Sequence, residues 1–334
     1  MKKLFLVCND KIWFSNQKYT SNNDLNNIIT CLNEKYDLNL ICRKSNKQLK
    51  FRLDNRFTFQ RLDKIIEKNL NFLMISITPY NFMIFFYLVF IKKINIKGFV
   101  YLRSDGFLEY KYRFGYIGYY FYSLMFNVIK KKLKIISCSK NFTKVNVEKV
   151  VHPSELDNNW LNQSNLYSNK KNDFLYVGRF TKDKGAHYIA NIFKKYLHNF
   201  KLTIVGNDKY IVPNKFYSSN IEYKGSISDV KKLIELYDSS KIFILPSYIE
   251  GFPKVISESL SRLTPIIIFE EIKYVISNRK GIFACKRNYK SLLVTINYIL
   301  KNYDEIQNDI KKNYFYTKDN FKKELLEFVK DEFE

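Results

Sequence analysis

The sequence predicts an α/β protein built from two doubly wound domains, each with a parallel sheet. Three observations carry that reading. The length of 334 residues exceeds the usual span of one hydrophobic core. Short, near-continuous apolar runs alternate with longer helical stretches, the pattern of strands covered by helices on both faces. Hydrophobic residues make up 46% of the chain and aromatics 17%, enough to fill two cores and far too much for a disordered chain.

In the first half, "LFLVC", "LNLIC", "FLMISIT", "GFVYL" and "KIISCS" read as strands, with helical stretches such as "NNDLNNIITCLNEKY" between them. In the second half, "DFLYVG", "KLTIVG", "IEYKG", "KIFILPS" and "TPIIIF" repeat the theme. Between the halves lies a polar, Asn- and Ser-rich stretch from His152 to Asp173, which reads as a linker. The expected division is a first domain over 1–155, a linker over 156–172 and a second domain over 173–311. The charged helical end, about 312–334, is free to pack back on the first domain. No internal repeat suggests a solenoid.

Two segments imitate membrane signals. The opening "MKKLFLVCND" has lysines and an apolar run, but the run is shorter than the roughly 7–15 residues of a signal-peptide core, so a first strand is expected. "FLMISITPYNFMIFFYLVFI" (Phe72 to Ile91) is long enough to tempt a membrane-span assignment. Pro79 and Asn81 divide it into a strand-like and a helix-like piece. Five scattered cysteines and three unclustered histidines offer no metal-ligand spacing, which points to a reduced, cytoplasmic protein without a metal.

The net charge of +24 is uneven. Residues 1–150 hold 27 Lys and Arg against 10 Asp and Glu, and residues 151–334 hold 29 against 22. A compositional bias toward Lys and Asn would produce such an excess; so would a front half that meets an anionic membrane, nucleic acid or phosphate-bearing substrate. "FGYIGYYFYSLMFNVIKKKLK" (Phe114 to Lys134) is either a buried helix ending in solvated lysines or an interfacial anchor with its aromatics at the headgroups. No recognised nucleic-acid module accompanies the charge, so no nucleic-acid partner is expected.

Doubly wound sheets bind ligands beyond the carboxyl ends of their strands, and two such edges facing each other would enclose a cleft. Three candidate loops follow strands of the second half. "GRFTKDKG" offers Gly178, Arg179, Lys182, Lys184 and Gly185: glycines for a tight turn, cations for a phosphate. An ordinary loop with solvated charges has the same composition. Gly206-Asn207-Asp208 forms a less specific turn. "LPSYIEGFPKVISESL" sets Glu250 and Glu258 with seven residues between them. Pro253 suits a first helical position, so the amides of Gly251, Phe252 and Lys254 would lie at a helix N-terminus that attracts anions. Glu258 would then sit in that helix, able to accept hydrogen bonds from vicinal hydroxyls. In the front half, Arg103 and Asp105 of "YLRSDG" follow a strand and should face the cleft on the acceptor side; Asp105 is either catalytic, orienting the acceptor hydroxyl or contacting the donor sugar, or it caps the next helix.

Together, "YVGRFTKDKG", "LTIVG", "IEYKG", "LYDSSKIFILPSYIEGFPKVISESL" and "TPIII" resemble, in order and spacing, the C-terminal half of the family-four retaining glycosyltransferases. The resemblance covers roughly residues 173–283, and "VYLRSDGFLEYKY" is similar to a segment of bacterial surface-polysaccharide members. It implies the GT-B fold, two Rossmann-like domains facing each other across a cleft. It also implies transfer of a sugar from a nucleotide-diphosphate sugar to a glycan acceptor, with retention and without metal; no cofactor is expected. The Phe114 to Lys134 segment, read as an interfacial anchor, adds the expectation of peripheral attachment to the inner face of a bacterial membrane, where a lipid-linked glycan would be presented. In that reading Arg179 and Lys184 grip the diphosphate, beside Gly178 and Gly206. Glu250, with Gly251, Phe252, Pro253 and Lys254, holds the donor sugar and distal phosphate. Glu258 binds the ribose. Two departures stand out: Leu263 replaces a customary glycine, and the first-strand loop "CNDKIWFSNQKYT" lacks paired glycines. A catalytically silent partner subunit and a basic nucleic-acid-binding protein remain the alternatives.

Overall fold

The computed structural model describes the chain except residues 16, 17, 50, 53–56, 141, 143–145, 155, 163–169, 171, 207–211 and 334. The expected Asn207-Asp208 turn and part of the expected linker lie outside the described residues. The chain divides into two compact units, one formed by Met1–Pro153 with Asp319–Glu334 and the other by Ser154–Lys318.

The first unit is built on a nine-stranded sheet. Its strands are β1 (Lys2–Ser15), β2 (Lys18–Ser21), β3 (Tyr36–Lys44), β4 (Phe51–Arg52), β5 (Phe57–Phe59), β6 (Asn69–Ile75), β7 (Asn95–Leu102), β8 (Lys134–Ser137) and β9 (Lys149–Val150). The order β5-β3-β1-β6-β7-β8-β9 is parallel throughout, and β2 and β4 join antiparallel. The helices α1 (Asn23–Leu32), α2 (Pro79–Phe86) and α3 (Gly106–Ile129) pack on it. The continuous apolar runs of β1 and β6 place Leu4, Leu6, Phe72 and Met74 in the core, as strands buried on both faces require.

The region "CNDKIWFSNQKYT", expected to be a loop, is largely strand. β1 continues past a register shift between Val7 and Lys11 and turns back into β2, pairing Trp13 with Thr20 and Phe14 with Tyr19. Aromatic packing explains the extension: the Phe14 and Tyr19 rings stack at 4.7 Å, and Tyr19 meets Phe57 at 4.9 Å. Where the apolar segment Phe72–Ile91 was expected to divide, it does. Thr78 caps α2 by accepting the Asn81 N–H (3.2 Å), and the Asn81 amide donates to the carbonyls of Ile75 and Ser76 at 2.8 Å. Among the described residues, no helix is long and apolar enough to cross a membrane.

The second unit has six parallel strands in the order β12-β11-β10-β13-β14-β15. They are β10 (Asn172–Val177), β11 (Leu202–Val205), β12 (Ile221–Gly225), β13 (Ser240–Leu245), β14 (Ile266–Phe269) and β15 (Ile282–Cys285). Its helices are α4 (Asn158–Leu161), α5 (Ala186–Tyr196), α6 (Val230–Ser239), α7 (Lys254–Ser261), α8 (Tyr289–Lys301) and α9 (Tyr303–Ile310). The strand order reverses between β10 and β13, so the loops after these two strands flank the switch point where doubly wound sheets bind ligands. Leu156 and Trp160, from the polar stretch read as a linker, are buried in this unit's core. The chain then returns to the first unit as α10 (Lys318–Phe333), setting Phe328 against Phe99 at 4.9 Å and Glu332 on Lys134 at 2.6 Å.

Candidate active site

The site is assembled by the loops after β10 and β13. Gly185 is the N-cap of α5 with φ +67°, and a Cβ there would stand 1.9 Å from the carbonyl oxygen of Pro246. Only glycine lets the first loop press so closely on the second. Backbone and side chain then tie the loops together. The Tyr248 N–H donates to Asp183 O at 2.9 Å, and the Lys184 ammonium donates to Glu250 Oε1 at 2.7 Å. Gly206, at the end of β11, packs in the same way on Gly178: a Cβ would meet the Gly178 carbonyl oxygen at 2.0 Å.

Glu250 is 8% exposed and tightly held. Its Oε1 also accepts from the Ser247 hydroxyl at 2.6 Å. The Tyr274 hydroxyl accepts the Glu250 N–H (3.0 Å) and donates to the Glu250 carbonyl (2.6 Å), so one phenol fixes the backbone on both sides. Arg179 stands differently: its side chain is 65% exposed and pairs with Asp183 at a loose 3.8 Å, leaving the cation accessible to an anion.

Glu258 sits in α7 and is 9% exposed, its Oε2 accepting the Tyr237 O–H at 3.0 Å. Burial, reinforced by the charge of Glu258, pushes the Tyr237 phenol well above its ordinary pKa, so it remains a donor. Pro253 lies one place earlier than expected, at the N-cap of α7 with ψ 100°, and Lys254 opens the helix. Its extended ψ accounts for the shift, since a residue inside the helix needs a helical value. Gly251 and Phe252 lead into this helix start. At the far end of α7, Leu263 takes φ +53° and is fully buried, so the chain keeps the left-handed turn without a glycine. Hydrogen bonds from Leu263 N–H to Leu260 O (3.0 Å) and from Thr264 N–H to Ser259 O (3.0 Å) hold that turn.

In the first unit, Asp105 is the N-cap of α3: it accepts the Leu108 N–H at 3.1 Å and is 4% exposed. Arg103 bonds Asp10 at 2.8 Å and lies 4.0 Å from Asp24. Asp10 belongs to the hairpin extension of β1, which is why the pairing escaped the sequence reading. The segment Phe114 to Lys134 is only half buried. Tyr122, Met125, Phe126 and Ile129 of α3 face the core, whereas Tyr116, Ile117, Tyr120 and Leu124 are 66, 83, 68 and 57% exposed.

Sequence reasoning missed Ser247, Tyr274, Tyr237 and Arg287. Arg287 follows the end of β15 as Arg179 follows β10, so the strand-end rule could have found it. Tyr274 carries no local signal.

The fold these elements make is the GT-B fold. A solved structure of Anabaena HepE in complex with UDP and glucose aligns with a TM-score of 0.65 at 12% identity, covering 99% of this chain and 100% of that one. Residues 158–315, within the second unit, match the family model described as glycosyl transferases group 1. The capsular polysaccharide biosynthesis glycosyltransferase CapM of Staphylococcus aureus is 27% identical over 163 residues, 44% of this chain and 42% of that protein. A Campylobacter jejuni α-1,4-N-acetyl-D-galactosaminyltransferase, named for a PP-undecaprenol-linked glycan, is 29% identical over 172 residues, 48% of this chain and 43% of that protein. The chain spans about half the length of the curated relatives it matches.

Proposed function

We propose that the chain is a glycosyltransferase of bacterial surface-polysaccharide synthesis that moves a sugar from a nucleotide-diphosphate donor to a hydroxyl of a lipid-linked glycan, with retention of configuration. The observation that carries the reading is the joining of two strand-end loops at the switch point, Gly185 on Pro246 and Lys184 on Glu250, within the segment that matches the family model.

In this mechanism the bond from the sugar's anomeric carbon to the distal phosphate breaks and leaves negative charge on the diphosphate. Arg179, Lys184 and the amides opening α7 stabilise that charge as it grows. The acceptor hydroxyl attacks the same face of the oxocarbenium-like sugar and passes its proton to the departing phosphate. Glu250 holds the sugar, and Glu258, oriented by Tyr237, takes the ribose hydroxyls. UDP and glucose in HepE, and an undecaprenol-linked substrate in the Campylobacter enzyme, support the donor and acceptor classes. Asp105 serves by fixing the start of α3, while Arg103 with Asp10 supplies the polar group on the acceptor side. The exposed aromatic face of α3 with Lys130, Lys131 and Lys132 would rest on anionic lipid, where each lysine contributes about 1 kcal/mol.

A thermal-shift panel of UDP-, GDP-, dTDP- and CMP-sugars tests the reading, because a ligand bound only by the folded state raises Tm. At least one nucleotide-diphosphate sugar is expected to raise Tm, and no response to any of them would overturn the proposal.

A further inference from the structure

Arg287 lies outside every sequence motif, and its side chain is 10% exposed. It follows β15, yet its contacts come from three other segments. The guanidinium pairs with Glu271 at 2.7 and 3.3 Å. Its Nη1 donates to the Pro246 carbonyl at 2.8 Å and its Nη2 to the Ser247 carbonyl at 2.9 Å. The rings of Tyr248, Phe269 and Tyr188 stand 3.8, 4.3 and 5.2 Å from the guanidinium carbon.

A simple ion pair with Glu271 would need neither the fork nor the rings. Two parallel N–H groups on two consecutive carbonyls require the planar, rigid guanidinium, which an ammonium cannot imitate. Those carbonyls belong to the residues that join β13 to Glu250. The Pro246 oxygen held by Arg287 is also the one against which Gly185 is packed. Ser247, whose carbonyl is held, donates its hydroxyl to Glu250 Oε1 at 2.6 Å. One largely enclosed cation thereby sets the peptide planes that place both the hydroxyl on Glu250 and the seat of the Lys184 loop.

We infer that Arg287 is a positioning residue for Glu250, acting through the Pro246 and Ser247 carbonyls. What Glu250 does for a donor rests on the proposed function; that Arg287 holds it in place does not.

Arg287→Lys and Glu271→Gln, compared with the unaltered protein, separate the two claims. In hydrogen exchange without ligand, the amides of Ser247 to Phe252 are expected to exchange at least tenfold faster in Arg287→Lys, with those of β13 unchanged. In Glu271→Gln, which leaves the fork in place, the rise should stay below threefold. Unchanged exchange at Ser247 to Phe252, or an equal rise through β13, β14 and β15, would overturn the inference. Binding of UDP-glucose and UMP is the second readout. A positioning defect should weaken UDP-glucose about tenfold and UMP, which lacks the distal phosphate and the sugar, less than threefold. Equal weakening of both would mark a merely structural role and overturn the inference. Failure of the unaltered protein to bind UDP-glucose would count against a uridine donor, and the exchange result would then decide the positioning claim alone.

Discussion

The two units share one kind of parallel sheet but differ in how the loops at its carboxyl edge are tied together. In the second, Glu250 and Glu258 are nearly buried, and each is held by a hydroxyl or ammonium from another segment. In the first, Asp105 after β7 caps α3, Arg103 pairs with Asp10 of β1 at 2.8 Å, and an aromatic face of α3 lies exposed. A parallel sheet supplies a ready ligand edge, but it becomes a built site only where loops are short, glycine-mediated and cross-tied. The first unit spends its equivalent edge on a hairpin and a cap.

The largest effect should come from the glycine that joins the two loops. Gly185→Ala meets a backbone oxygen that cannot give way and a left-handed φ, so it is expected to destabilise the second unit by about 2–4 kcal/mol. Gly115, at a kink inside α3, has φ +64° and ψ −153° but nothing within 4 Å of an added Cβ, so Gly115→Ala should cost the first unit about 1–3 kcal/mol of backbone strain alone. Denaturation followed by Trp160 in the second unit and Trp13 in the first distinguishes the two. Equal costs would break the contrast between a cross-tied and an open unit.

Arg179→Ala should lower kcat by roughly 10²–10³-fold, the scale of losing one preplaced donor to a developing anion. Tm should hardly move, because the side chain is largely exposed. Unchanged turnover would remove Arg179 from the mechanism. In the first unit, replacing Ile117, Tyr120 and Leu124 together by serine should reduce binding to anionic vesicles by roughly tenfold at low salt, since each loses apolar burial at the surface. Co-sedimentation equal to that of the unaltered protein would end the membrane reading.

A further effect, spread over several pH units, is on the pH dependence of stability. Lys170 donates to the carbonyls of Tyr237 (3.2 Å) and Arg262 (3.2 Å) and to the Thr264 hydroxyl (2.6 Å), beneath the residue that holds Glu258. Burial, with the nearby charge of Arg262, lowers its pKa to about 7. A base whose folded pKa lies below its unfolded value near 10.4 binds fewer protons folded than unfolded between the two. Stability should therefore rise with pH from about 7 to about 10, by at most about 1.4 kcal/mol per unit, and Lys170→Met should flatten that slope. Parallel stability–pH curves would contradict the assignment.

Much of the fold was legible because apolar runs such as "KIFIL" and "PIIIF" admit few readings other than buried strands. The Glu250 loop was legible for a related reason: Gly251 and Pro253 punctuate it between a strand and a helix. What stayed hidden depends on distant partners. Arg103 meets Asp10 across 93 positions, and Arg287 reaches Ser247 across 40. The β1–β2 hairpin escaped because aromatic stacking, not glycine turn chemistry, holds it together. Leu263 keeps a left-handed turn that a glycine would announce, its strain offset by full burial of the side chain. Asp105 was ambiguous in sequence, since an aspartate before Gly106 serves a cap and a cleft equally well.

The most direct test of the central claim is hydrogen exchange with and without saturating UDP-glucose or another nucleotide-diphosphate sugar that raises Tm. The account expects new protection over residues 178–186 and 247–258, where the two loops and α7 meet the donor. Protection confined to the first unit, or none over those two segments while ligand is bound, would contradict it.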